Sequence, residues 1–285
     1  MAFSSLAEID DYMKTNKYEF WEAVIREEAR DSQQPEMDIV NRMTQMYRSM
    51  KEADGAYDDS LTSHSGLSGK NGKKMANYAA THKCMCGEFG GAVMAKAIKM
   101  AESNACMKRI VAAPTAGSCG VVPAILITYE RMTNTSENDM VKALFVAAGI
   151  GDVIARRASI SGARGGCQAE IGSASAMAAG ALVCLQGGDA EAIMHGAALA
   201  LKNMLGLVCD PVAGLVEVPC IKRNSYGAVN AVTSAQLAVA GIRSAIDPDE
   251  VIDSMRRIGN QLPACLKETS EGGLATTESA RHYQS

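Results

Sequence analysis

Aromatic side chains are scarce in this chain of 285 residues, which has one Trp, four Phe and eight Tyr. An excess of charge of either sign is missing too: 28 Lys and Arg against 32 Asp and Glu give a formal net charge of −4. With no clustered basic face, the electrostatic footprint of a nucleic-acid-binding protein is excluded. No apolar run approaches the ~20 residues that cross a bilayer, so no membrane is expected. The acidic start, residues 1–11, has neither the charged nor the apolar region of a signal peptide. These absences set the expectation of a cytoplasmic protein. Strand-like alternation is confined to short pieces, and the chain has no fixed-period repeat or low-complexity segment.

What is present points to helices. Gly (26) and Met (17) are plentiful; small residues let helices approach closely, and Met fills irregular gaps. The expected fold is mostly α, a compact multi-helix domain over 1–285 with Gly/Ala-rich helix packing and Gly-rich site loops. Within it, 1–55 reads as a helical N-terminal layer and 60–276 as the functional core. Ser5 and Glu8 have the spacing of a capping box that opens a short helix. A second helix is expected over 17–29 and ends at a polar break, 30–36. Ile39, Met43, Met46, Tyr47 and Met50 mark a third. Further helices are predicted over 92–103, 138–158, 173–185, 190–205 and 230–246. Another is opened by Asp247 and Pro248. Gly149 and Gly151, inside a helix where glycine costs stability, imply a tight crossing.

Two loops carry the composition of anion sites. In 60–72, glycines alternate with hydroxyls (Ser63, His64, Ser65, Gly66, Ser68, Gly69), which turns successive N–H groups toward one point; a flexible surface loop has the same composition. His64 there is a candidate base, though a lone His in a polar loop is more often simply solvated. In 114–120, Thr115, Gly117 and Ser118 lie between an apolar run and an apolar helix, where N–H groups favour a carboxylate or phosphate. An ordinary helix cap would look the same. His195 reads as a core histidine with one nitrogen satisfied. Cys84 and Cys86, one residue apart, read as packing rather than a chelate.

Nine cysteines suit a reducing compartment, where special ones bind metal or do chemistry. Three have unusual surroundings. Cys167 follows Gly165-Gly166, and Cys209 and Cys220 bracket a segment containing Pro211, Gly214 and Pro219. They lie 42 and 11 residues apart, unlike the tight runs of ferredoxins, so as ligands they come from separate loops. An iron–sulfur cluster, a zinc site and plain packing all remain open from spacing. Arg223 and Asn224 follow Cys220 and place a cation and an amide beside it.

Three segments narrow this choice: 106–123, with Pro114 to Pro123 at its centre; Gly166-Cys167-Gln168-Ala169-Glu170; and 206–224, with both Cys209 and Cys220. They resemble the α chain of iron–sulfur-dependent L-serine dehydratase. Lys267-Glu268-Thr269 and Gly272-Gly273-Leu274-Ala275 are similar to that family's C-terminal motif, and the likeness runs over about 63–276. The resemblance implies a mostly helical catalytic domain, a [4Fe–4S] cluster held by Cys167, Cys209 and Cys220, and conversion of L-serine to pyruvate and ammonia. One iron without a cysteine would act as Lewis acid on the substrate hydroxyl. The resemblance also makes Ser65, Gly66, Ser68, Thr115, Gly117 and Ser118 pocket walls, with Arg223 and Asn224 beside them and His64 a candidate base. Lys70 and Asn71 depart from the family loop, which continues with a second Gly and an acidic residue. Two-chain members carry a separate β chain with its own Ser-His motif, so such a partner is expected. Cysteine desulfidation by the same cluster, or a non-catalytic iron–sulfur sensor, are the alternatives.

Overall fold

A computed structural model describes residues 3–283. Thirteen α-helices follow one another: α1 (Leu6–Asn16), α2 (Phe20–Ser32), α3 (Glu36–Gly55), α4 (Asn71–Ala79), α5 (Gly87–Ala105), α6 (Val121–Thr133), α7 (Glu137–Arg157), the single turn α8 (Gly162–Gly165), α9 (Ser173–Leu185), α10 (Ala190–Lys202), α11 (Cys220–Val239), α12 (Pro248–Gln261) and the short α13 (Glu278–Arg281). Among the described residues no strand forms, and one isolated bridge joins Cys209 to Lys267. The expectation of a mostly α fold holds.

The architecture is organised around α9, whose residues 173–183 are all buried. A helix apolar on every side has no solvent face and must be surrounded; α6, α7, α10 and α11 pack around it. Buried apolar side chains form one cluster that runs from Leu6 to Met255. Residues 168–185 are long and apolar enough to cross a membrane by composition, contrary to the sequence expectation that no run approaches this, and 83% of the stretch is buried inside the fold. Its hydrophobicity is that of a central core helix.

The predicted crossing at the glycines is present. A Cβ on Gly149 would come within 2.5 Å of Val24 Cγ2, and one on Gly151 within 2.9 Å of Met177 Sδ. Thus α2 and α9 both lie against α7 closer than any side chain allows. The outer layer of α1, α2 and α3 covers this side of the core.

Several boundaries differ from the sequence reading. Lys17 starts no helix: at φ 58° it is the left-handed cap that ends α1, and α2 begins at Phe20. The polar stretch after Ala29 stays helical to Ser32 before Gln33 turns the chain. α5 begins before the Gly90-Gly91 pair, because small residues there let it lie against Ala79 and Cys84. α10 ends at Lys202 and α11 at Val239, short of 205 and 246. The largest difference is that α11 starts at Cys220, directly after Pro219. The predicted loop around Cys220 to Asn224 is therefore a first helical turn. At Ser5 the hydroxyl accepts from Glu8 N–H, but the Glu8 carboxylate turns to Ser4.

Candidate active site

The three singled-out cysteines come from three separate segments, Cys220 from the first turn of α11, and lie within electrostatic reach of one another. Cys167 follows Gly166, whose φ of 77° and closeness to Leu207 O (2.9 Å from an added Cβ) leave no room for a side chain. It leads into a π-helical turn, Gln168–Gly172, ahead of α9; such turns are frequent at functional sites. Cys209 lies in an extended segment, where its N–H donates to Leu266 O (2.9 Å) and its C=O accepts from Glu268 N–H (2.8 Å). Cys220 opens α11. The side chains are 3, 3 and 9% exposed.

Burial raises all three thiols: Cys167 is pushed up to about 11 and Cys220 up to about 12, and Cys209 is pushed up further. Cys167 and Cys220 both raise Cys209, and Glu170 raises all three, so the sulfurs and this carboxylate lie within electrostatic reach of one another. Arg223 acts the other way, donating to the Cys167 sulfur. Thiolates at this place need a positive group to hold them. Among the described residues no three His, Cys, Asp or Glu gather tightly enough to hold a single metal ion. Cysteine sulfurs are the donors that iron–sulfur groups take, and the three buried sulfurs are of that type.

Loops are fixed around the thiols by hydrogen bonds between distant residues. Gln168, fully buried, donates to Gly165 O (2.9 Å) and Met255 O (3.1 Å) and accepts from Gly206 N–H (2.9 Å). Arg223 donates to Val208 O (2.8 Å) and to Asp210 (2.9 Å). The second Asp210 oxygen accepts from Leu274 N–H (2.9 Å), which ties the C-terminal motif to the Cys209 loop. Asn224, also fully buried, accepts from Gly120 N–H (2.8 Å) and donates to Gly117 O (2.8 Å) and Cys220 O (3.0 Å). Arg223 and Asn224, two of the eight residues expected to bind substrate, are thus committed to loop geometry. Thr115 and Ser118 bond each other (3.1 Å), and Thr115 Oγ1 donates to Glu170 Oε1 (2.8 Å). Glu170 is raised by burial, against the pull of the Thr115 hydrogen bond.

The 60–72 loop does face anions, and they belong to the chain itself. Ser63 and Ser65 donate to Glu217 (2.6 and 2.9 Å), a buried carboxylate in the Cys209–Cys220 segment. Asn71 and Gly72 N–H groups, at the start of α4, donate to Glu102 (2.9 and 3.0 Å). Gly66 has φ 76° and, like His64 and Ser65, is exposed, whereas Ser68 is buried. The loop is therefore brought against the cysteine segment through Glu217. Cys86 is exposed, and Cys84 lies near Gly91 between α4 and α5. His195 is a packed histidine whose Nδ1 accepts from Ser244 N–H (3.2 Å).

Sequence reasoning missed Gln168, Glu170, Asp210 and Glu217. Each is a polar residue within two or three positions of a singled-out cysteine, and that adjacency was the available signal.

The family described as "Serine dehydratase alpha chain" matches residues 15–275. The chain is 43% identical over 282 residues to the "Probable L-serine dehydratase, alpha chain" of Bacillus subtilis, covering 99% of this chain and 94% of that one. It is 39% identical over 276 residues to the "L-serine dehydratase, alpha chain" of Peptoniphilus asaccharolyticus, covering 96% and 94%. To "L-serine dehydratase 1" of Escherichia coli it is 43% identical over 181 residues, which are 63% of this chain and 40% of that longer one.

Proposed function

The chain belongs to the serine dehydratase alpha chain family, and from that premise we propose that it is the catalytic chain of an L-serine dehydratase, a lyase that forms pyruvate and ammonia. The observation that carries this reading is the meeting of three buried, mutually interacting cysteines from separate segments. Cys167, Cys209 and Cys220 would hold a [4Fe–4S] cluster, and that group, when bound, supplies Lewis-acid assistance to departure of the substrate hydroxyl.

This chain's own residues do the rest. Asn224 holds the 115–120 loop by two hydrogen bonds, from Gly120 N–H and to Gly117 O, so the loop is preorganised as one wall of the pocket. Thr115, Gly117 and Ser118 form that wall, which receives the substrate carboxylate. Arg223 keeps the Cys167 and Cys209 segments in register and partly offsets the negative charge there. Ser65, Gly66 and Ser68 form the opposite wall, tethered by Glu217. His64, at the exposed side of that wall, takes the α-proton, or a histidine of a β chain does. The longer relatives, in which the matched stretch is 40% of the chain, support the view that a second polypeptide completes the enzyme. A cytoplasmic, reducing setting suits the free cysteines.

Anaerobic reconstitution with iron and sulfide, followed by a pyruvate assay with and without the candidate second chain, tests the reading. Serine should yield pyruvate in proportion to bound iron, with cysteine as the competing substrate in a parallel assay. Full activity in colourless, iron-free protein contradicts it.

A further inference from the structure

The acids of this protein that lie away from solvent are, with one exception, well supplied with partners. Asp54 has Lys96 at 2.7 Å and Arg131 at 3.0 Å, and Asp210 has Arg223 at 2.9 Å. Asp249 accepts from two backbone N–H groups at the start of α1, and Glu102 from two at the start of α4. Glu217 has two serine hydroxyls.

Glu170 is the exception. Its Oε1 accepts from Thr115 (2.8 Å), while Oε2 accepts from no donor among the described residues, and no cation stands within ion-pair distance. Burial and the Glu268 carboxylate disfavour a negative charge there, and that charge in turn disfavours ionisation of the three thiols. A carboxylate withdrawn from water without a cation or a full set of donors is costly. Such a cost is offset when a ligand brings the missing charge.

This carboxylate packs against two glycines on different loops. A Cβ on Gly162 would come within 2.8 Å of Oε2 and 3.1 Å of Cys209 Sγ, and one on Gly117 within 3.1 Å of Oε1. The Glu170 carboxylate is therefore cradled beside a thiol and the 115–120 loop. L-serine carries three polar groups on two adjacent carbons, and the proposed function accounts for its hydroxyl and its carboxylate only. The ammonium is left, and the unmatched anion is within the same cradle.

Resting on the proposed function, we infer that Glu170 binds the substrate's α-ammonium group and so selects amino acids over hydroxy acids and simple carboxylic acids. In the bound substrate the charge of Glu170 is neutralised, and the ammonium stays protonated beside the α-carbon, which makes the α-proton easier to remove. Thr115 orients the carboxylate as a positioning residue, leaving Oε2 for the ligand.

The test compares two probes that differ only in the ammonium and cannot be dehydrated, L-alanine and propanoate, by calorimetric titration of the anaerobic, iron-loaded protein with any second chain it requires. Wild type should prefer L-alanine by on the order of 10- to 100-fold, as expected for one charge-assisted contact. In Glu170→Gln, which keeps shape and the Thr115 contact, the preference should fall to about 1-fold, with iron content unchanged and with KM for serine raised more than kcat is lowered. Glu170→Asp, which keeps the charge, should retain part of the preference. A Glu170→Gln variant that loads iron and still prefers L-alanine overturns the inference. So does loss of iron from both variants, since Glu170 would then serve the cysteine loops. Wild type that holds iron but neither binds nor dehydrates serine overturns the functional reading, and the inference with it; the variant results overturn the inference alone.

Discussion

The helical core and the loop layer at its end are held by opposite means. Around α9 nearly every contact is apolar, and closeness is achieved by deleting side chains, as at Gly149 and Gly151. Around the cysteines, closeness is achieved by polar side chains that bridge segments far apart in sequence: Asn224 to Gly120 across 104 residues, Ser63 to Glu217 across 154 and Leu274 to Asp210 across 64. The core tolerates swaps that conserve volume and apolar pattern. The loop layer depends on single atoms, and removing one partner leaves a buried donor or acceptor unmatched. Stability is thus built into the helices and geometry into the loops.

Five variants sharpen this contrast, the first with the largest effect. Cys209→Ser should reduce pyruvate formation to background, about 10³-fold or more, whereas Cys119→Ala should keep most of it. Cys119 is equally buried, but it packs against the α5 region, donating to Met100 O, and lies in none of the three cysteine loops. Equal losses in the two variants would erase the distinction between core and site sulfurs.

Asn224→Ala strands Gly120 N–H and the Gly117 carbonyl, and should cost about 2–4 kcal/mol in urea unfolding. It should also lower kcat/KM in the protein that remains folded, because the loop wall loosens. Gly149→Ala drives a methyl against Val24 and Phe20 and should cost about 1–3 kcal/mol. It should leave turnover per folded chain unchanged, since the clash lies in the outer helical layer. A Gly149→Ala variant with impaired kcat would show that the two regions are coupled.

The smallest effect is a pH dependence. Burial lowers the pKa of His195 below its ordinary 6.5. The unfolded chain therefore takes up a proton more readily than the folded one. Stability contributed by neutral His195 is complete above 6.5 and declines as pH falls through that value toward the lower folded pKa. His195→Gln should flatten this part of the acid limb of a thermal-unfolding profile, and an unchanged limb would exclude the residue.

The same contrast explains what was legible in the sequence. The long helices were, because apolar periodicity, N-caps such as Asp247, and interior glycines are local signals. Boundaries were lost where tertiary contacts set them: the helix expected over 230–246 starts at Cys220 instead, where Asn224 ties its first turn to Gly117 and Gly120. The cysteines stood out through their Gly and Pro neighbours. Their partners did not, since adjacency to those cysteines is the one local mark that distinguishes the bridging Gln168 or Glu217 from an exposed polar residue. The 60–72 loop shows the limit most clearly: its composition indicated an anion, but only the fold reveals that Glu217 and Glu102 take that place.

The most direct test of the central claim is the iron and sulfide content of chain purified without oxygen, beside Cys167→Ser, Cys209→Ser and Cys220→Ser. The account predicts about four irons and four sulfides per wild-type chain and severe loss in each variant. A wild type that dehydrates serine without iron, or three variants that keep their full complement, would contradict it.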